Sequence, residues 1–466
     1  MNYLSKNTER IIENIDDINE YIHPLDYDYF NISNIKPLYN TIFKLYKKIN
    51  YNIISKNIEY INTTNFCGTF DLLDYLLNNN FLDNFKNINI NDNGNQISLD
   101  TIIKERLKDK YKIWINLHGK LLLRNLYLLK ETKKIPKEFF NNFSIIDEDL
   151  LSEFTPFDII EFLGNNRLIK YTFSLNYLDT NVTLKIISKT KLNYNLIDKI
   201  IKKIYLMVSL KKQNEPKIEA FTIVLILTNF CKKISSEYNV LGPREINSGV
   251  CIFSSRKIVI FRKEEFEKLI IHELAHLLNL DFHQVSISNI TQYVNINPNT
   301  EFRINESITE ILALIINSIL VCIDLSNKKN YKLAAAFLNY EINFNLVQVS
   351  KILSHFGFKN SKDFFTNYNN DNRFNQTTSV LSYFIIKTCV LFNKDYFHNF
   401  FRKNYTNFNY NNKQQANDNY INLVIESLQN KEFHDKINNL LQKNNYKNKN
   451  KFLKNTLRMT CIECYS

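Results

Sequence analysis

Residues 272–283 read His-Glu-Leu-Ala-His-Leu-Leu-Asn-Leu-Asp-Phe-His, a stretch that begins with the pattern His-Glu-x-x-His. Positions i and i+4 lie on one face of an α-helix, so the imidazoles of His272 and His276 can converge on one Zn²⁺ ion. Glu273 follows the first histidine directly, where its carboxylate can take a proton from an attacking water. The spacing therefore predicts a metal centre that carries its own general base.

The residues on either side of this motif favour a buried helix. Glutamates stand at positions 264, 265 and 267, and the helix dipole favours acidic residues in a first turn. Asn279 is a suitable helix end, because asparagine tolerates the left-handed conformation in which many helices terminate. Apolar residues recur at helical spacing and form the predicted core face: Phe266, Leu269, Ile270, Leu274, Leu277 and Leu278.

The segment resembles the active-site helix of the zincin metallopeptidases. The resemblance implies that His272 and His276 bind zinc, that Glu273 is the general base, and that the substrate is a peptide or a protein. A catalytic zinc site has three protein ligands and leaves one position open, so a third ligand has to come from another part of the chain.

The preferred third ligand is Glu306. Residues 305–313 read Asn-Glu-Ser-Ile-Thr-Glu-Ile-Leu-Ala, and the spacing of the two glutamates resembles that of the gluzincins, the thermolysin-like zincins. In that group the first carboxylate binds zinc and the second, more often Asp, orients a ligand imidazole. The resemblance thus assigns metal binding to Glu306 and the support of His272 to Glu310.

Three other candidates for the third ligand stay open. Metzincins place a third histidine six residues after the second motif histidine, and His283 lies seven residues after His276. Asp281 resembles the ligand of the Asp-using zincins, and Glu310 is the remaining carboxylate. Ser307 and Glu310 also fit an ordinary capping box at a helix start, which would give Glu310 no role at the metal.

The segments before the motif predict a small sheet. Two strands, at residues 171–175 and 181–187, are expected on either side of a Leu-Asp-Thr turn. A helix at 196–210, a buried strand at 221–227 and a hairpin of residues 249–253 and 257–261 are expected to follow. This order resembles the sheet lobe of the zincins. In such enzymes the extended substrate pairs with an edge strand, which the resemblance places at residues 247–250, where Gly249 permits a close approach of the backbone.

The chain is therefore predicted to be an α+β protein with a zincin-like, two-lobe catalytic unit. Residues 1–165 form a mostly helical region that contains no chemical motif. Residues 166–300 form the sheet lobe with the His-Glu-x-x-His helix, and residues 301–466 form a helical lobe that supplies the third ligand. The last region contains no proline and only Gly357, so it lacks residues that interrupt helices.

The helical lobe is also expected to face the metal. Helices are predicted near residues 307–325, 331–342, 346–356, 378–392 and 416–429. A side chain that stabilises the oxyanion of the reaction would come from this lobe, and His355, Arg373 and Tyr383 are the available types.

Composition indicates a folded protein and excludes several other classes. Hydrophobic residues make up 44% of the chain, and the abundance of Asn, Ile, Lys, Tyr and Phe is typical of AT-rich genomes such as those of large DNA viruses. The run Arg-Lys-Glu-Glu at 262–265 resembles uncharacterised zincin-like proteins of such viruses. The net charge is +12, but no nucleic-acid-binding motif accompanies it, and the basic residues 443–458 are predicted to be a solvated tail.

The cysteines and the apolar segments favour the cytoplasm. If the protein is viral, the expected location is the host cytoplasm or the virion. Seven scattered cysteines are typical of a reducing compartment, and the Cys-x-x-Cys pair of Cys461 and Cys464 has no second pair to complete a zinc site. The first residues lack the apolar core of a signal peptide. Residues 308–325, the most apolar stretch, are interrupted by polar side chains, so no membrane span is expected.

The sequence thus predicts a zinc-dependent metallopeptidase with His272, His276 and Glu306 as ligands and Glu273 as base. The alternative is a catalytically silent zincin-fold protein with a structural or virion-associated role. An intact Glu273 argues against that alternative, because a purely structural zinc site needs no base and usually has four protein ligands.

Overall fold

A computed structural model describes most of the chain outside the region between residues 62 and 165. The described residues are 4–19, 32–61, 166–215, 217–234, 240–281, 290–296, 303–365, 374–405, 413–443 and 451–464, with a short hairpin within 89–98 and residues 159, 162 and 163. His283 and Arg373 lie outside the described residues.

A mixed sheet of six strands forms one side of the protein, and its strand order is β1-β4-β5-β6-β8-β7. The α+β class predicted from the sequence is therefore confirmed. β5, β6 and β8 are mutually parallel, whereas β7 pairs antiparallel with β8 at one edge. The strands are β1 (Asn52–Ile61), β4 (Leu168–Tyr177), β5 (Thr180–Ser188), β6 (Phe221–Ile226), β7 (Gly249–Ile252) and β8 (Lys257–Ile260), and β2 (Asn89–Asp92) pairs with β3 (Asn95–Ser98) in a separate hairpin.

Two helices cover this sheet, α3 (Tyr194–Lys212) and α5 (Phe266–Leu277), while a short helix α4 (Pro243–Ile246) precedes β7. A Cβ atom added at Gly249 would lie 3.1 Å from the side chains of Leu269 and Ile260. The side chains that approach the backbone of Gly249 closely therefore belong to α5 and β8. This close approach lets the predicted metal-binding helix pack directly against the edge strand.

One strand of the sheet comes from the first 165 residues. β1 pairs antiparallel with β4 along its whole length, so the sheet is not confined to the region 166–300 in which the sequence placed it. Helix α1 (Lys6–Asn19) agrees with the amphipathic pattern of that segment, and helix α2 (Ile32–Lys48) contributes to the same hydrophobic core as the sheet.

The rest of the described chain is helical. It comprises α6 (Asn305–Ser326), α7 (Tyr331–His355), α8 (Lys362–Phe365), a π-helical turn (Leu381–Ile386), α9 (Lys387–Phe392), α10 (Lys394–Tyr405), α11 (Lys413–Leu428), α12 (Lys431–Lys443) and α13 (Lys451–Asn455). Helix α6 is long and apolar enough to cross a membrane, but 89% of its most apolar window is buried inside the protein. Such burial is typical of a core helix, so α6 gives no clear sign of a membrane span.

The prediction of two helices at 331–342 and 346–356 is wrong, because α7 is continuous. The side-chain amide nitrogen of Asn345 donates to the carbonyl of Glu341 one turn earlier, so this polar residue in the middle of the segment bonds within the helix. The helix ends before Gly357, whose φ of 81° only glycine adopts without strain.

The end of the predicted solvated tail is buried. Residues 456–463 are buried and Arg458 is fully enclosed, whereas Lys454 is exposed. Its guanidinium lies 2.6 Å from the carboxylate of Glu463 and 3.7 Å from that of Glu264. The prediction failed because it counted the basic residues of the segment without their acidic partners, one of which precedes it by almost 200 residues.

Candidate metal centre

Three predicted ligands come together between α5 and α6. The Nε2 atoms of His272 and His276 lie 3.1 Å apart, and Oε2 of Glu306 lies 3.3 Å from the first and 3.1 Å from the second. Two nitrogen ligands of one tetrahedral zinc ion, each at about 2.05 Å, are separated by about 3.3 Å. The spacing of the three atoms therefore matches the first coordination shell of a single ion.

Each histidine is held from its other side by a carboxylate. Nδ1 of His272 lies 3.0 Å from Oε1 of Glu310, and Nδ1 of His276 lies 2.5 Å from Oδ2 of Asp281. When each imidazole is neutral, a proton on Nδ1 would leave Nε2 with a lone pair directed at the centre. Two nitrogen lone pairs and a carboxylate oxygen then converge in a buried space, an arrangement that a cation stabilises.

Within the described part of the chain, the same geometry favours Glu306 among the candidate third ligands. Asp281 and Glu310 contact the Nδ1 atoms and so face away from the point where the Nε2 atoms converge. Among the described residues, the carboxylate that lies beside both Nε2 atoms as a potential ligand is that of Glu306. His283 lies outside those residues, so its candidacy stays a prediction.

The capping-box interpretation of Ser307 and Glu310 is wrong. The hydroxyl of Ser307 donates to the carbonyl of Ile304 and contacts the hydroxyl of Tyr420. The carboxylate of Glu310 is turned into the core, where both of its oxygens accept from Nζ of Lys268 at 2.6 Å.

Buried cations support Glu310 and were not anticipated from the sequence. Although burial alone would raise it, the pKa of Glu310 is held well below its usual range by Lys268 and by contact with His272. Nζ of Lys387 adds a second positive charge 3.6 Å away. Lys268 stands four residues before His272 on the same helix face, and this spacing is the signal that could have identified it.

Glu273 is buried beside the three ligands. Burial raises the pKa of its carboxyl, the neighbouring imidazoles of His272 and His276 lower it, and the carboxylate of Glu306 raises it further. A carboxyl whose pKa is displaced toward neutrality is suited to exchanging a proton during a reaction near pH 7.

Tyr383 is the oxyanion candidate that the structure brings to this centre. It lies in the π-helical turn, its ring centroid is 6.1 Å from that of His272, and its hydroxyl is hydrogen bonded to Glu306. Burial and the charges of Glu306 and Glu273 raise the pKa of this hydroxyl, so it remains protonated. His355 lies at the end of α7, with its ring against Phe356.

The carboxylate of Asp281 gives a first test of this arrangement. The Asp281→Asn protein is expected to bind zinc about 10- to 100-fold more weakly, because the neutral amide holds the His276 imidazole less strongly. Isothermal titration with zinc measures the change. The control is Thr309→Val, which removes only the hydroxyl 2.9 Å from the Asp281 carboxylate and should have a smaller effect. Equal affinities of the Asp281→Asn and wild-type proteins would contradict a supporting role.

Comparison with known proteins gives limited information. No family model matches the chain, and no solved structure matches it. The chain is 30% identical over 162 residues to "Uncharacterized protein R210" of Acanthamoeba polyphaga mimivirus. The matched region covers 34% of this chain and 41% of the mimivirus protein, so the similarity spans less than half of either. It supports a viral origin.

Proposed function

We propose that this protein is a zinc-dependent metallopeptidase of the gluzincin type. The observation that carries the proposal is the convergence of His272, His276 and Glu306 beside a buried Glu273. Among the described residues the group has three members, and three protein ligands with a neighbouring base are the composition of a catalytic site. A structural zinc site usually has four protein ligands and needs no base.

The residues of the chain have separate tasks in the proposed reaction. When bound, zinc supplies a Lewis acid that polarises the scissile carbonyl and makes water more acidic. Glu273 accepts the proton of the attacking water and passes it to the leaving amine. The hydroxyl of Tyr383 donates a hydrogen bond to the oxygen that becomes negatively charged. Glu310 and Asp281 keep the two imidazoles in the required orientation.

The edge strand β7 supports a peptide as the substrate. β7 pairs with β8 on one side and packs against α5, the helix that carries both histidines. An extended peptide can pair with an edge strand through main-chain hydrogen bonds, which do not depend on the peptide's sequence. We infer that β7 aligns the substrate beside the metal centre.

We propose a reducing compartment for this protein: the cytoplasm or, if the protein is viral, the host cytoplasm or the virion. The six cysteines of the described residues are all free. Burial and the nearby Glu341 keep the pKa of the Cys461 thiol well above its usual range, so this thiol lacks the thiolate character of a redox or zinc-binding cysteine.

The proposal is tested by measuring zinc and hydrolysis on the same purified protein. We expect about one zinc per chain by mass spectrometry of metals, and cleavage of a peptide library that stops on chelation and returns with zinc. Zinc without cleavage of any library would favour the structural alternative. Absence of zinc binding would contradict the proposed metal centre itself.

Replacing the hydroxyl of Tyr383 tests its assigned task. The Tyr383→Phe protein is expected to have kcat lower by about 10²- to 10³-fold, with little change in KM or zinc content, because a hydrogen bond to the developing negative charge is lost. Steady-state kinetics on a cleaved library peptide provides both constants. Tyr205→Phe is the matched control, since Tyr205 is a fully buried tyrosine of α3, and its kcat should stay near the wild-type value. If Tyr383→Phe keeps a kcat near the wild-type value, as Tyr205→Phe is expected to do, Tyr383 has no role in the reaction.

The two histidines predict opposite pH responses for the metal-free and the zinc-loaded protein. Burial opposes the protonation of His276, but Glu306 and Asp281 outweigh it and raise its pKa, and Glu306 and Glu310 do the same for His272. A raised pKa stabilises the metal-free fold below the ordinary value of 6.5, and this contribution is lost as pH rises through the folded-state pKa. Zinc requires the unprotonated imidazoles, so acid weakens its binding.

On acidification from about pH 8 to about pH 6, the Tm of the metal-free protein is therefore expected to rise and that of the zinc-loaded protein to fall. Glu306 stays ionised throughout this window, because the histidines hold its pKa far below its usual range. Thermal scans with and without zinc provide both curves. Curves that run parallel would show that zinc and protons do not compete for these histidines.

A further inference from the structure

Residues 456–464, here called the strap, form a buried segment with little regular secondary structure. Its backbone is bound mainly by side chains of other elements, and five of its N–H groups donate to buried carboxylates. Backbone groups buried away from water have to be hydrogen bonded, and charged acceptors form the stronger bonds. The strap is therefore held as specifically as a strand within a sheet.

One side of the strap is bound to the start of α5. The carboxylate of Glu265 accepts from the backbone N–H groups of Met459 and Thr460, each at 2.6 Å. In return the N–H of Glu265 donates to the side chain of Glu463 at 3.1 Å. Glu267 accepts from the N–H of Cys464 at 2.8 Å. The first turn of the helix that carries His272 thus contacts both halves of the strap.

Glu265 has an unusual backbone conformation that these contacts maintain. Its φ is 62°, a left-handed value that is unfavourable for a residue other than glycine, and it lies immediately before α5 begins. Its carboxylate also pairs with Nζ of Lys232 at 2.8 Å. The direction in which α5 starts therefore depends on a strained residue that the strap and one lysine hold.

The other side of the strap is bound to α6, α7 and α9. Glu341 of α7 accepts from the N–H groups of Cys461 at 3.0 Å and Ile462 at 2.9 Å. Asn317 of α6 donates to the carbonyl of Ile462, and Lys387 donates to that of Met459. Lys387 also lies near Glu310, the carboxylate that faces His272. The strap consequently connects α5 to the elements that provide the third ligand and its supports.

We propose that the strap positions α5 relative to α6, and thereby sets the distance between the two histidines and Glu306. The inference rests on the proposed metal centre and adds a positioning element about 150 residues away from the ligands in sequence. Ligands have to be held within about 0.5 Å of the productive geometry. Loosening the strap leaves the buried carboxylates of Glu265 and Glu267, at the start of α5, without their N–H donors. The start of the helix then relaxes, and the three ligand atoms separate.

The test compares Glu341→Gln and Thr460→Val with the control Tyr39→Phe in the full-length protein. Glu341 of α7 accepts from N–H groups of the strap, and the hydroxyl of Thr460, a residue of the strap itself, donates to Glu341. Both side chains therefore act on the strap and lie apart from the three proposed ligands in these hydrogen bonds. Tyr39 is a buried residue of α2 whose hydroxyl contacts Cys322 in the last turns of α6 and the N–H of Asn330 beyond that helix, far along α6 from Glu306. Zinc affinity, the visible spectrum of bound Co²⁺ and Tm are measured for each protein.

We expect Glu341→Gln and Thr460→Val to lower zinc affinity by about tenfold or more and to change the Co²⁺ spectrum. Tyr39→Phe should lower Tm while keeping the wild-type affinity and spectrum. If the strap variants lose Tm as the control does but bind metal as the wild type does, the positioning role is overturned and the metal centre stands. If the wild type binds neither ion, the metal centre fails and the strap proposal fails with it. Thr460→Val is the milder variant and replaces Glu341→Gln if that protein does not fold.

Discussion

The Glu273→Gln protein is expected to bind zinc as tightly as the wild type and to hydrolyse peptides about 10²- to 10⁴-fold more slowly. This loss corresponds to about 3–5 kcal/mol of transition-state stabilisation. Glutamine has nearly the shape of glutamate but cannot accept the proton of the attacking water. Glu273 is not among the three atoms that converge on the centre, so its replacement leaves the ligands in place.

Zinc content and kcat measured on one preparation separate this role from a structural one. Glu273→Asp is the matched variant, because it keeps the carboxylate and withdraws it by one methylene group. Its activity should lie between those of the wild-type and Glu273→Gln proteins. If Glu273→Gln retains activity within about threefold of the wild type, another group is the base, since a general base contributes at least about 10²-fold. Loss of zinc from the same variant would instead indicate that Glu273 maintains the fold of the site.

The Glu306→Gln protein is expected to lose zinc during purification, the largest effect on metal binding that the structure predicts. Oε2 of Glu306 lies within 3.3 Å of both Nε2 atoms, and it supplies the negative charge of the proposed ligand set. An amide oxygen is a weaker ligand for zinc than a carboxylate. We expect the affinity to fall by more than the roughly 10- to 100-fold that removal of a supporting residue causes.

The competing ligand His283 provides the control for this prediction. The His283→Asn protein should retain zinc and activity if Glu306 is the third ligand. Equilibrium dialysis with zinc, followed by the Co²⁺ spectrum of each variant, compares the two directly. A zinc-loaded, active Glu306→Gln protein together with an inactive, zinc-free His283→Asn protein would reverse the assignment. The zinc affinity of Asp281→Asn is expected to lie between that of His283→Asn, which retains zinc, and that of Glu306→Gln, which loses it.

Short-range patterns in the sequence were sufficient for the elements around the motif. The β4–β5 hairpin, α3, β6, the β7–β8 hairpin and α5 all follow the predicted order. Each is specified by the periodicity of its own apolar residues, because a strand or a helix face is determined by residues only two to four positions apart. The same locality placed His272, Glu273 and His276 on a single helix.

Predictions that depended on distant partners were less successful. The solvated tail was predicted from the basic residues of 443–458 alone, whereas Arg458 is buried against Glu264 and Glu463. A buried ion pair is invisible in a sequence when its members are far apart along the chain, because composition does not record which charges meet. β1 joined the sheet for a similar reason, since its partner β4 follows it by more than 100 residues.

The sequence by itself identified the candidate site: the imidazoles of His272 and His276 and the carboxylate of Glu273, at a spacing that about one turn of helix brings together. Only the tertiary structure showed which further carboxylate lies beside both Nε2 atoms. Glu306, Glu310 and Asp281 are equivalent as residue types, and they differ in which nitrogen of a histidine each one reaches. That choice depends on how α6 and the strap pack against α5, and packing between distant segments is set by the shape and charge of the whole core.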